Sequence, residues 1–317
     1  MTVDRHSILA ELTNTLEASK QEWFANWQAF HSDGDLSAIY HYTTSQGLLG
    51  ILGSECFWGT NILYLNDKSE LLYARTLIET HIDRQIRAAP NSDVYRFLSL
   101  LKHRYDPFQD NLDVYISCFC ENGDLLSQWR SYGSAGGGYA VALEPRVRDQ
   151  PPATPAFISF RRVIYDPDVQ RAYVEGSINK FVKILAEFRR NSPGNEIWEA
   201  AEKLTLRYFL QEVGDYFWCF KDQAFSEEKE WRFAYVTPRS VTGKRPVRFR
   251  STSNGIVPYV ELDLFNLASG GRYLQITKIV CGPTLHPDLS ELAVLLAVRE
   301  LGYKDVQPAI SAVPLRG

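Results

Sequence analysis

The 317-residue sequence has no surplus of basic charge, no apolar run that could cross a bilayer, no regularly spaced cysteines and no tract rich in proline, glycine and serine. Each absence removes a class of protein. A net charge of −4 argues against a broadly basic surface that grips nucleic acid through phosphates alone. No stretch supplies the roughly 20 consecutive apolar residues that a membrane helix needs, so no membrane association is expected. Five cysteines, an odd number, fit the reduced thiols of a cytoplasmic protein better than a disulfide framework. The opening MTVDRHSILAELTNTLEASK is an amphipathic helix pattern carrying acids and does not read as a signal peptide. Nor is there a G-x-G-x-x-G after a strand, a Walker A sequence, an H-E-x-x-H or a paired C-x-x-C.

What is present is apolar: 45% hydrophobic and 13% aromatic residues, enough for a large core. Helical spacing of Ile8, Leu9, Leu12, Leu16, Trp23, Phe24 and Trp27 predicts an N-terminal helix within 1–36. A single α+β domain is expected over 37–317, with two long helical patterns inserted at about 166–220. Thr44 or Ser45 can cap the helix SQGLLGILGS, whose end lies near Gly53. The segment ILYL reads as strand or extended chain, and Asn66, Asp67 and Glu70 as the start of the following helix. Asp124 is the expected cap of the short helix in DLLSQWRSYG, which Gly133 ends, and glycines 136–138 turn the chain into the strand GYAVALE. The densest basic run, GKRPVRFR over 243–250, reads as a solvated hairpin edge.

Three polar features interrupt apolar strands. His41 sits between Tyr40 and Tyr42 and precedes Thr43 and Thr44; a lone strand histidine is most simply a hydrogen-bonded structural residue. Ser117 lies in DVYISCF, where a buried serine usually bonds nearby backbone. The third is AFSEEKEWRFAYV, residues 224–236. Read as one strand, it puts Trp231, Phe233 and Tyr235 on one face and Glu228, Glu230 and Arg232 on the other, the two carboxylates about 7 Å apart. Like charges so placed raise each other's pKa and cost stability, so that face is either solvated or used by chemistry. Cys118 and Cys120 alternate toward one face, but two thiols are too few ligands for a metal and pack as small hydrophobes, so no metal site is assigned.

Five patterns in order, YHYTTSQGLLGILGSECFWGTNILYLND with Glu70, ISCF with DLLSQWRSYG and GYAVAL, FSEEKEWRF, KIVCGP, and ISAVPLR, resemble a widespread bacterial family catalogued as domain of unknown function 2971. The likeness runs over residues 40–316. The order strand His, strand Ser, strand E-x-E also resembles ADP-ribosyltransferases, which hold NAD between two small sheets. That second resemblance implies ADP-ribosyltransferase-like split mixed sheets with helical insertions, and NAD as the substrate. Glu230 would stabilise an oxocarbenium-like transition state through the ribose 2-hydroxyl, and Glu228 would orient or deprotonate an acceptor. By the same likeness His41, with Tyr42 and Thr43, would contact the adenine-side ribose, and Ser117 would support the carboxylate or the nicotinamide ribose. Tyr42, Trp129 or Tyr132 could stack on or contact a ring. The acceptor, a protein or a nucleic acid, stays open, as does hydrolysis of NAD without transfer. Two other expectations stand beside this one: a non-catalytic nucleotide- or partner-binding module, and a metal-dependent nucleic-acid enzyme using Glu228 and Glu230.

Overall fold

The structure, a computed structural model, describes residues 5–30, 38–65, 69–88, 93–104, 112–132, 137–147, 158–191, 194–239, 245–252, 255–263 and 272–314. The expectations for Asn66, Asp67, Gly133 and Gly136, and for the ends of the patterns at 243–244 and 315–316, lie outside these residues. In chain order the described elements are α1 (Arg5–Phe30), β1 (Ile39–Thr43), α2 (Ser45–Ser54), β2 (Phe57–Asn61), α3 (Ser69–Ala88), α4 (Asp93–Arg104), β3 (Leu112–Cys120), α5 (Leu126–Tyr132), β4 (Tyr139–Val147) and β5 (Ile158–Arg162). The chain continues through α6 (Pro167–Asn191), α7 (Asn195–Cys219), β6 (Glu230–Pro238), β7 (Arg248–Thr252), β8 (Gly255–Leu262), β9 (Arg272–Cys281), α8 (Pro287–Glu300) and β10 (Gln307–Ile310). The fold is mixed α+β with a mixed sheet.

Two compact units divide the chain. Met1–Ser32, Asp67–Leu112 and Ile164–Phe225 form a helical unit; Asp33–Asn66, Asp113–Val163 and Ser226–Gly317 form a sheet unit. The helices over 166–220 fall within the helical unit. They share a core with α1, α3 and α4 because each of these helices has an apolar stripe to cover, such as Leu12 and Leu16 of α1 at i, i+4. Gln170, fully buried at the start of α6, donates both amide hydrogens to carbonyls, Ile164 at 2.6 Å and Lys221 at 2.9 Å, and so closes the base of the α6–α7 pair. Deeper between these helices Ser177 donates to Glu212 at 2.6 Å, Lys180 pairs with the same carboxylate, and burial pushes the Glu212 pKa up.

In the sheet unit the strand order is β10-β9-β4-β1-β3-β2-β8-β7, with β6 pairing both β3 and β5 off this path. The β9–β10 pair is parallel with α8 as its crossover, whereas β4–β9, β1–β4, β1–β3, β2–β3, β2–β8, β7–β8 and β5–β6 are antiparallel. Period-two alternation sends Ile39, Phe57, Tyr115, Phe119, Val141 and Leu143 into one core with α2 and α8. Trp231, Phe233 and Tyr235 of β6 enter the same core, and Phe160 of β5 stacks on Trp231 and Phe233 with centroids 4.7 and 4.3 Å apart. Thr44 is the α2 cap, its side chain accepting from Gly47 N at 3.2 Å. The helix runs to Ser54, one residue past Gly53 as the sequence led one to expect, and its C-cap Glu55 is a non-glycine in the left-handed region with φ 54°. Ile62–Tyr64 curls into a 3-10 turn in place of the extended segment.

Candidate functional site

His41 lies on β1, flanked by β3 and β4 in the middle of the sheet. Its Nδ1 is 2.8 Å from the Cys118 carbonyl oxygen. A carbonyl can only accept, so in the neutral ring Nδ1 carries the proton and Nε2 presents a lone pair. The ring meets Phe57 edge-on at 5.1 Å and Phe119 at a tilt at 5.3 Å. Burial pushes its pKa down to about 4; the Cys118 bond opposes the shift and the Arg250 charge adds to it. The ring is thus neutral near pH 7. Below pH 6.5 the unfolded chain takes up a proton at this residue that the native state refuses until about pH 4. Native stability should therefore be complete above pH 6.5 and fall by at most about 3 kcal/mol on acidification through that window. His41→Gln should flatten the pH dependence of the urea midpoint across it, and an unaltered slope would assign the proton uptake to another group.

Ser117 and Thr43 are buried. Ser117 is 2% exposed and its Oγ has no hydrogen-bond partner among the described residues. Thr43 packs over the first turn of α2, its Oγ1 only 2.0 Å from where a Cβ on Gly47 would sit, so the glycine is what lets strand and helix approach.

The E-x-E reading needs correction. Glu228 is the last residue of a 3-10 turn, Gln223–Glu228, and Lys229 takes φ 41°, so the strand begins only at Glu230. The two carboxylates do not share a strand face. Glu230 and Arg232 do, at 3% and 2% exposure, and the guanidinium holds the carboxylate at both oxygens, Nε to Oε1 at 2.7 Å and Nη2 to Oε2 at 2.9 Å. Glu230 and Arg232 on that face are thus not solvated and form a buried bidentate ion pair. Arg161, opposite Arg232 in the β5–β6 register, is also buried and donates to the Phe160 carbonyl at 3.0 Å.

Tyr42 and Trp129 likewise leave no ring face for a ligand. Each is 4% exposed, and they meet edge-on with centroids 4.7 Å apart. The Tyr42 hydroxyl donates to the Asn122 carbonyl and accepts from Leu125 N, both at 2.9 Å, and burial pushes its pKa far up. Asp124 does not cap α5, which begins at Leu126. Its Oδ1 accepts from Trp129 Nε1 at 2.7 Å and from the Ser311 hydroxyl, and its Oδ2 from Ala312 N at 2.8 Å. Gly123 and Gly282 complete the knot, because a Cβ would fall 2.2 Å from the Tyr40 ring at one and 2.8 Å from the Trp129 ring at the other. Tyr132, half-buried, packs at the margin of this cluster.

Arg250 is the residue that sequence reasoning passed over. β7 is the end strand of the sheet order and mostly exposed, as the edge reading of this run expects; Arg245 donates to the Glu261 carbonyl at 2.8 Å, and Arg248 pairs with the Glu261 carboxylate at 3.0 Å. Arg250 turns onto the sheet, donates from Nη2 to Thr60 Oγ1 at 2.8 Å, and stands over the Trp58 and Tyr259 rings at 5.3 and 5.8 Å. The one signal that could have found it is the alternation of RFR, which puts Arg248 and Arg250 on the same face of a strand.

Residues 128–233 match the model of a family described as a protein of unknown function, DUF2971. These residues belong to the DUF2971 family. No curated protein and no solved structure is matched by the chain. The DUF2971 segment runs from α5 to β6 and contains Trp129, Tyr132, Glu228 and Glu230, whereas His41, Tyr42, Thr43, Ser117 and Arg250 lie outside it. Among the described residues no helix is long and apolar enough to cross a membrane, and no three His, Cys, Asp or Glu side chains are arranged to hold a metal.

Proposed function

We propose that the sheet unit is a nucleotide-binding module, with NAD the nucleotide that the transferase resemblance implies. The observation that carries this reading is the fixed tautomer of His41, a neutral ring whose Nε2 can accept from a ribose hydroxyl while its proton is tied to Cys118. The positions of Glu228, off the strand, and Glu230, inside an ion pair, speak against their acting as a catalytic pair.

One arrangement favours the enzymatic reading as second. β3 pairs with both β1 and β6, so the strands bearing His41, Ser117 and Glu230 are neighbours, as an NAD-consuming ADP-ribosyltransferase of the split-sheet kind would need. Calorimetric titration with NAD, run beside an assay for nicotinamide release with and without cell extract, separates the two. The module reading expects binding weakened about tenfold in His41→Ala and no nicotinamide over hours. Release that is lost in Glu230→Gln, with the variant still folded, would move the assignment to the transferase, and absence of NAD binding would remove both.

A further inference from the structure

Arg250 has the features of a cation built to receive an anion. It sits on β7, yet its side chain reaches across β8 to Thr60 of β2, the register partner of Tyr259. The Trp58 and Tyr259 rings, 5.0 Å apart and tilted by 40°, back its guanidinium, and the single bond to Thr60 fixes the rotation of the plane. A guanidinium carries five N–H donors, and the Thr60 bond uses one of them, at Nη2. Nε is buried and has no hydrogen-bond partner among the described residues.

The neighbouring arginines sharpen the contrast. Arg248 has the Glu261 carboxylate and Arg245 has the Glu261 carbonyl, whereas the groups that act electrostatically on Arg250 among the described residues are two phenols, Tyr259 and Tyr132. Burial pushes the Arg250 pKa down with no carboxylate offsetting it, and the same positive charge helps keep His41 neutral. A desolvated guanidinium without an acid is costly unless something anionic completes it. A phosphate group suits the gap, since its oxygens can take a guanidinium fork and still accept from a phenol such as Tyr132.

We propose that Arg250, oriented by Thr60 and backed by Trp58 and Tyr259, is the anchor of a phosphate-binding subsite. The proposal deepens the nucleotide reading by giving the phosphates a place, and rests on it only for the nucleoside part of the ligand. Titration calorimetry of the full chain at low salt with pyrophosphate, and separately with adenosine, tests the two parts independently. Pyrophosphate should bind the wild type, about tenfold or more weaker to Arg250→Gln, and about three- to tenfold weaker to Arg250→Lys, which keeps the charge and loses the fork. Should melting curves show Arg250→Gln unfolded, the Arg250→Lys comparison decides. Equal pyrophosphate affinity in the folded variants, or no binding of pyrophosphate to the wild type at millimolar concentration, overturns the subsite. Pyrophosphate binding that depends on Arg250 while adenosine does not bind leaves the subsite standing and counts against the nucleoside reading alone.

Discussion

Arg232→Ala is expected to lower the stability of the protein by about 3–5 kcal/mol, measured as a fall in the urea unfolding free energy at pH 7. The substitution strips the partner from Glu230, which is 3% exposed and bonded at both oxygens, and leaves a carboxylate in a place where water cannot reach it. Glu230→Gln is the mirror case, stranding a guanidinium that is itself 2% exposed. Replacing both with uncharged residues of similar volume, Glu230→Gln with Arg232→Met, should recover most of the loss, because the cost of desolvating two charges disappears along with their attraction. That rescue has a second use. A structural role for Glu230 predicts that whatever function falls in the single variant returns with stability in the double one, whereas a carboxylate touching the ribose cannot be replaced by restoring the fold. If Arg232→Ala costs less than about 1 kcal/mol, the pair behaves like a solvated surface ion pair and the carboxylate regains its candidacy for chemistry.

The same strand shows how far the sequence could be read. Alternation of Trp231, Phe233 and Tyr235 announced a strand and its buried face because a pleated strand has a period of two whatever surrounds it. It gave no warning that Lys229 takes a positive φ, which depends on the turn before it, and starting the strand too early was enough to place Glu228 on a face it never occupies. Thr44 could be read as a cap because capping is local, whereas Asp124, equally plausible as a cap, is claimed by Ser311 and Ala312 from almost two hundred residues away. His41 was visible as a polar interruption in an apolar strand. Its tautomer required the Cys118 carbonyl, and the role of Arg250 required a partner strand to bring Thr60 and Tyr259 under it. The organisation of α1, α3, α4, α6 and α7 into one unit was hidden for the same reason: three separate stretches of chain each looked incomplete alone.

The Asp124 bonds make a prediction of similar size elsewhere in the sheet unit. Asp124→Ala should cost about 3–4 kcal/mol, since one carboxylate receives the Trp129 indole, the Ser311 hydroxyl and the Ala312 amide. The indole belongs to a side chain only 4% exposed, so its N–H has no water to turn to once the acceptor is gone. Asp124→Asn keeps one carbonyl oxygen and should lose roughly half as much, about 2 kcal/mol. Ser311→Ala, removing one bond at a partly exposed position, should lose about 1 kcal/mol. The loss should also be local before it is global. Val313 packs against the cluster containing Tyr42 and Trp129, and its amide donates to Ser311 Oγ at 3.1 Å, so the segment after β10 is held chiefly through this carboxylate. Hydrogen exchange on Asp124→Ala should therefore show the amides of Ala312 and Val313 unprotected while those of β4 and β9 stay protected. Uniform loss of protection would mean that Asp124 supports the whole sheet, and unchanged protection at Ala312 would mean that the carboxylate is not what fastens the chain there.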